Sequence, residues 1–95
     1  MTLHERDIED YLVTRVKQRG GTVRKVKWIG RRGAPDRFVI IPQRVGTGGW
    51  SVWVELKAPG RKPTAGQLAE HRELECMGQR VEVIDSIEGV DRLLK

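Results

Sequence analysis

The chain has 95 residues, of which 33% are charged, with a single cysteine and a formal net charge of +5. That length is read as one domain over 1–95 with a small core, and the basic balance suits a polyanion, nucleic acid first, better than a membrane. Cys76 alone excludes an internal disulfide, and with only His4 and His71 beside it a structural zinc site is not expected.

In chain order, the segment TLHERDIEDYLVTRVKQRGG carries Ile8, Tyr11, Leu12 and Val16 at helical spacing and stops at Gly20 and Gly21. TVRKVKW alternates and is rich in β-branched residues, and RFVII reads as a second, buried strand ended by Pro42. WSVWVELKA is the third strand, with Trp50, Val52, Val54 and Leu56 on one face and Ser51, Trp53, Glu55 and Lys57 on the other. Thr64 caps a second helix running to Gly78, RVEVID is a fourth strand, and Ser86 caps a short closing helix. The order is αβββαβα, a mixed α+β fold with a central mixed sheet flanked by helices. The charged N-terminus has no signal-peptide run, and no apolar stretch approaches the roughly 18 residues that span a bilayer, so a cytoplasmic protein is expected.

Charge stands out in the most apolar segments. Glu55 and Lys57, two apart on a strand, project from the same side. If the second and third strands form a hairpin, Asp36 lies beside Glu55. Two carboxylates that close repel unless a divalent cation sits between them, and hard oxygen donors favour Mg²⁺ or Mn²⁺. Such a cation polarises a phosphodiester and acidifies water, and a nearby lysine stabilises the developing charge, which is phosphodiester hydrolysis chemistry. The competing reading has Asp36 capping a turn and Glu55 paired with Lys57 in solvent, and D…ExK by itself is a short pattern.

Glu5 falls near the middle of the helix face formed by Ile8, Leu12 and Val16 and is expected to point toward the protein. It also completes a capping-box pattern with Thr2, and Glu9 is the next candidate on that face. Gln67 lies in the first turns of the second helix, with His71 four positions on along the same side.

Glu5, the Gly33-Ala34-Pro35-Asp36 turn, Val54-Glu55-Leu56-Lys57, the basic turn Pro59-Gly60-Arg61-Lys62 and Gln67 together resemble, over nearly the whole chain, the VRR-NUC domain of the PD-(D/E)xK nuclease superfamily in its compact stand-alone phage and bacterial form. The resemblance implies a restriction-endonuclease-like fold. It implies that Asp36, Glu55 and the backbone carbonyl of Leu56 hold Mg²⁺ or Mn²⁺, that Glu5 reaches the metal directly or through water, and that Lys57 is the catalytic lysine. Gln67 matches the family's glutamine and would orient water or the scissile phosphate; His71 is read as structural or phosphate-contacting.

Arg31 with Arg32, and Arg61 with Lys62, flank the proposed site and are read as contacts to the nucleic-acid backbone, whereas Arg24, Lys25 and Lys27 are read as solvated. Trp53 shares a face with Glu55 and is expected to pack or to seal a subunit interface. The expectation is a metal-dependent DNA endonuclease with no small-molecule cofactor. By resemblance it acts on branched DNA, four-way junctions included, and two subunits would cut both strands, so a homodimer is expected. The alternatives are a nuclease of flaps, nicks or single strands, and a non-catalytic nucleic-acid-binding module.

Overall fold

The computed structural model describes residues 2–95. The elements are α1 (Glu5–Gln18), β1 (Thr22–Lys25), β2 (Arg37–Ile41), β3 (Trp50–Leu56), α2 (Ala65–Cys76), β4 (Val81–Ile84) and α3 (Ile87–Leu93), the expected αβββαβα order. They build one sheet in the order β1-β2-β3-β4. The first three strands pair antiparallel, and β4 joins β3 in parallel. A parallel neighbour cannot be reached by a tight hairpin, so α2 forms the crossover between β3 and β4.

The apolar stripe of α1 does what its spacing predicts. Ile8, Leu12 and Val16 are fully buried and share one core with Val39, Ile41, Val52, Val54 and Leu56 from the sheet and with Val90, Leu93 and Leu94 from the C-terminal end. The α1–α3 contact has a polar edge, where Tyr11 Oη donates to Asp91 Oδ1 at 2.7 Å and Arg15 pairs with the same carboxylate. On the opposite face of the sheet, Trp53 packs against Phe38 and Trp28 with ring centroids 4.4 Å and 5.0 Å away. Packing is thus the role this tryptophan has within the chain.

Two caps form as expected: Thr64 Oγ1 accepts from Gln67 N at 3.1 Å, and Ser86 Oγ accepts from Gly89 N at 2.9 Å. The start of α1 differs. His4 is its N-cap, with His4 N donating to Asp7 Oδ2 at 2.8 Å, so the Thr2–Glu5 capping box is not formed. The shorter carboxylate three residues past His4 satisfies that amide and leaves Glu5 as the first helical residue, free of the cap. β1 is also shorter than the TVRKVKW run. The ladder gives one more bond, Val26 N to Asp36 O at 2.9 Å, after which the Trp28 indole N–H donates to Pro35 O at 2.8 Å.

Truncating Leu12 to alanine opens a cavity under α1 where no other side chain can follow, so Leu12→Ala is expected to cost about 2–5 kcal/mol. Urea denaturation followed by circular dichroism should show a lower midpoint with an unchanged slope.

Candidate active site

The site follows from one register. β2 and β3 pair with Arg37 opposite Val54, Phe38 opposite Trp53 and Val39 opposite Val52. Continued one step past the last pair, the same register sets Asp36 opposite Glu55, and Asp36 is near enough to raise the Glu55 carboxyl. Lys57 N donates to Ile84 O, and Trp53 N to Arg80 O, so the odd-numbered residues of this part of β3 turn their backbone groups toward β4. Asp36 turns its own carbonyl toward Val26, the residue just after β1. Neither residue spends backbone bonds on the other, and a facing pair of this kind brings its Cα atoms to about 4.5 Å, the closer of the two antiparallel spacings.

The next position has a different consequence. By the same alternation the backbone groups of Leu56 turn toward the β2 side, where the register, carried two steps past Arg37 and Val54, would bring Pro35 opposite. A proline has no N–H, so the ladder offers the Leu56 carbonyl no donor there. The two carboxylates and the Leu56 carbonyl therefore lie toward one end of the sheet.

Glu55 is buried, with only 8% of its surface exposed, whereas Asp36 is exposed. Burial first, with the neighbouring Asp36 and Glu5, raises the Glu55 carboxyl to about 7 against the opposing pull of Lys57 and Arg37. A carboxyl held near neutrality by desolvation and by neighbouring carboxylates is one that a cation would ionise. Among the described residues, no three His, Cys, Asp or Glu side chains converge closely enough to enclose a metal by themselves. The donor set fits a hard divalent ion held by two carboxylates and a carbonyl with water or phosphate oxygens completing its shell, which is how Mg²⁺ is usually bound.

Glu5 is exposed and does not point into the core, contrary to its position on the helical wheel. At the start of α1, Glu5 lines a cleft together with Lys57, Arg61, Lys62 and Thr64. The basic turn after β3 and the first helix thus meet across the site. Glu9 is engaged elsewhere: it pairs with the guanidinium of Arg37, which is largely buried and also reaches Asp36 Oδ1 at 2.9 Å.

Two of the sequence-predicted residues have other tasks. Arg31 is not free for a phosphate. It forms a fork on Glu70, at 3.0 Å from Nε to Oε1 and 2.7 Å from Nη2 to Oε2, and reaches Glu73 Oε2 at 2.9 Å. This ties the loop before Asp36 to α2. Gln67 returns to its helix cap, its Oε1 accepting from Thr64 N at 2.9 Å, which engages one lone pair of that oxygen. The loop also touches α2 at Gly33, which has φ +79 and where a Cβ would lie 3.0 Å from Gly66 O and 3.1 Å from Gln67 Cα. Arg32, Arg61 and Lys62 are exposed.

Arg37 is the residue at the site that the sequence does not single out, and His71 is one whose distance from Glu55 it leaves open. Arg37 sits on the core-facing side of β2, where an arginine between apolar neighbours asks for a buried partner; that pattern was available and pointed to Glu9 one helix away. His71 is 4% exposed on α2, with Nε2 3.6 Å from Glu55 Oε1. Its helical spacing from Gln67 gave its side of the helix but not how far α2 leans toward β3.

A small mixed sheet with this carboxylate pair and lysine at one end defines a PD-(D/E)xK type of nuclease core. A solved structure described as a VRR-NUC domain superposes with a TM-score of 0.79, at 37% identity over 95% of this chain and 92% of that one. A protein of Acyrthosiphon pisum secondary endosymbiont phage 1 named "Putative nuclease p44" is 45% identical over 84 residues, 88% of this chain and 85% of the relative. No family model matches the chain. On these two relatives the chain belongs to the VRR-NUC family, and it is a nuclease. No described helix is long and apolar enough to cross a membrane.

The Glu55 carboxyl has its folded-state pKa raised from 4.5 to about 7, so its proton favours the folded, metal-free protein. That contribution is complete below the unfolded value and is lost as pH rises through about 7. Thermal melts in EDTA should therefore show a lower Tm at pH 8 than at pH 5.5, and Glu55→Gln should flatten that difference. Gly33→Ala should lower the Tm of the metal-free protein through its positive φ and the close approach to α2, by the equivalent of about 1 kcal/mol or more.

Proposed function

We propose that the chain is a divalent-metal-dependent endonuclease of branched DNA that works as a homodimer. The observation that carries this reading is the facing pair of Asp36 and Glu55, with Lys57 on the Glu55 side of β3 and opening on the cleft that Glu5, Arg61 and Lys62 line. Asp36, Glu55 and the Leu56 carbonyl hold Mg²⁺ or Mn²⁺, and Glu5 acts through water. When bound, the cation supplies Lewis acidity toward a phosphodiester oxygen and a water of lowered pKa.

The chain's own residues do the rest. Lys57 presents a compact positive charge to the phosphate as negative charge builds on its oxygens. Burial of Glu55 beneath α2 keeps bulk water away from one side of the pair, and the Arg31 fork and the Gly33 contact hold the Asp36 loop in place. Arg32, Arg61 and Lys62 track the sugar-phosphate backbone, an affinity that weakens with salt and is indifferent to sequence. Gln67 supports the site by fixing the start of α2.

One site per subunit cuts one strand, so paired cuts across a junction need two subunits, and a core this small gains from an apolar interface. Four-way junction, flap, nicked, single-stranded and linear duplex DNA, each incubated with Mg²⁺, Mn²⁺ or EDTA, test the reading together. Paired nicks in the junction are expected with metal and none in EDTA, and equal cutting of linear duplex would refute the preference for branches. Asp36→Asn and Lys57→Ala should each lower cleavage by at least about 100-fold while leaving junction binding in EDTA intact, a loss typical of removing one group that stabilises transition-state charge. If neither changes the rate, the carboxylate–lysine site is not the catalytic one.

A further inference from the structure

We propose that His71 is a positioning residue for the metal site: its Nε2–H holds Glu55 Oε1 and so leaves Oε2 to face the cation. This deepens the proposed function and rests on the reading of Glu55 as a metal ligand. His71 Nε2 is buried and without a hydrogen-bond partner, an uncommon state for a buried polar atom. It stands 3.6 Å from Glu55 Oε1, so a shift of about half an ångström makes an ordinary hydrogen bond.

The tautomer follows from electrostatics. The Nε2 edge of the ring is buried and turned to the Glu55 carboxylate. A neutral ring carries one N–H. With Nε2 aimed at a carboxylate oxygen, an unprotonated Nε2 would set lone pair against lone pair, so the proton belongs there.

The helix is built to hold the ring in place. One turn before His71, the Thr64–Gln67 cap fixes the start of α2. The preceding residue, Glu70, is locked by the Arg31 fork. His71 thus stands on a segment clamped at both points, and a carboxylate whose one oxygen is held by a rigid donor has its other oxygen oriented in advance.

The test uses the whole chain with Mn²⁺ as the probe. Calorimetric titration of metal-free protein should give His71→Leu an affinity about tenfold or more below that of the parent, the usual effect of losing such a supporting contact. His71→Gln, whose amide nitrogen can take the place of Nε2, should stay within about threefold of the parent, whereas a packing role alone would not distinguish the two. An independent readout needs no variant: long-range ¹H–¹⁵N spectra of the metal-free parent recorded near pH 9, where the Glu55 carboxyl is ionised, should show the Nε2–H tautomer at His71.

An Nδ1–H tautomer would overturn the proposal, and so would a cooperatively folded His71→Leu that binds Mn²⁺ as the parent does. If the parent itself does not bind Mn²⁺, the reading of Glu55 as a ligand fails and this proposal fails with it. Parent-like binding by His71→Leu removes the role of His71 alone.

Discussion

The pairing register of β2 with β3 is the constraint on which everything else depends. It sets Asp36 against Glu55 and Pro35 against Leu56, and it does so with no bond between the acidic side chains themselves. The apolar residues enforce it, because Val39, Val52 and Val54 must share the core face with α1. A slip by one residue would turn that whole set toward solvent, at a cost far above any repulsion between two carboxylates. The hydrophobic effect thus does the electrostatic work, holding like charges together where a cation can use them.

Around this pair the protein surrounds negative charge with graded compensation. Arg37, buried between Glu9 and Asp36, neutralises the core side, and Lys57 faces the cleft. Burial without complete compensation is what leaves Glu55 half-protonated near neutrality. Removing any one charged partner shifts the others, so substitutions within this group are not expected to be additive.

The sequence made the scaffold legible wherever period and punctuation agreed. RFVII alternates between the two faces and ends at Pro42, Val52, Val54 and Leu56 of WSVWVEL enter the core as its alternation predicts, and Thr64 and Ser86 cap their helices, whereas the burial of Glu55 on the other face comes from α2. The candidate site was legible to the extent that it depends on strand period, which fixes Glu55 beside Lys57 and allows Asp36 opposite. What stayed hidden depends on distances between elements. A run of arginines in a loop looks the same whether it meets phosphate or Glu70, and Gln67 reads equally as a ligand-facing amide or a capping one. Glu5 shows the limit of the helical wheel, which gives direction around the axis but not whether the core still lies alongside.

The fork from Arg31 to Glu70 spans 39 positions in the chain, linking the loop that precedes the first carboxylate to the helix that follows the lysine. A contact of that span closes late, since the chain must first meet the entropy of bringing distant segments together. Chain emerging from a ribosome would hold both carboxylates before it held the helix that seats them. The two carboxylates are thus braced by a segment made after them, and the loop that carries Asp36 is fixed only once α2 has folded back onto it.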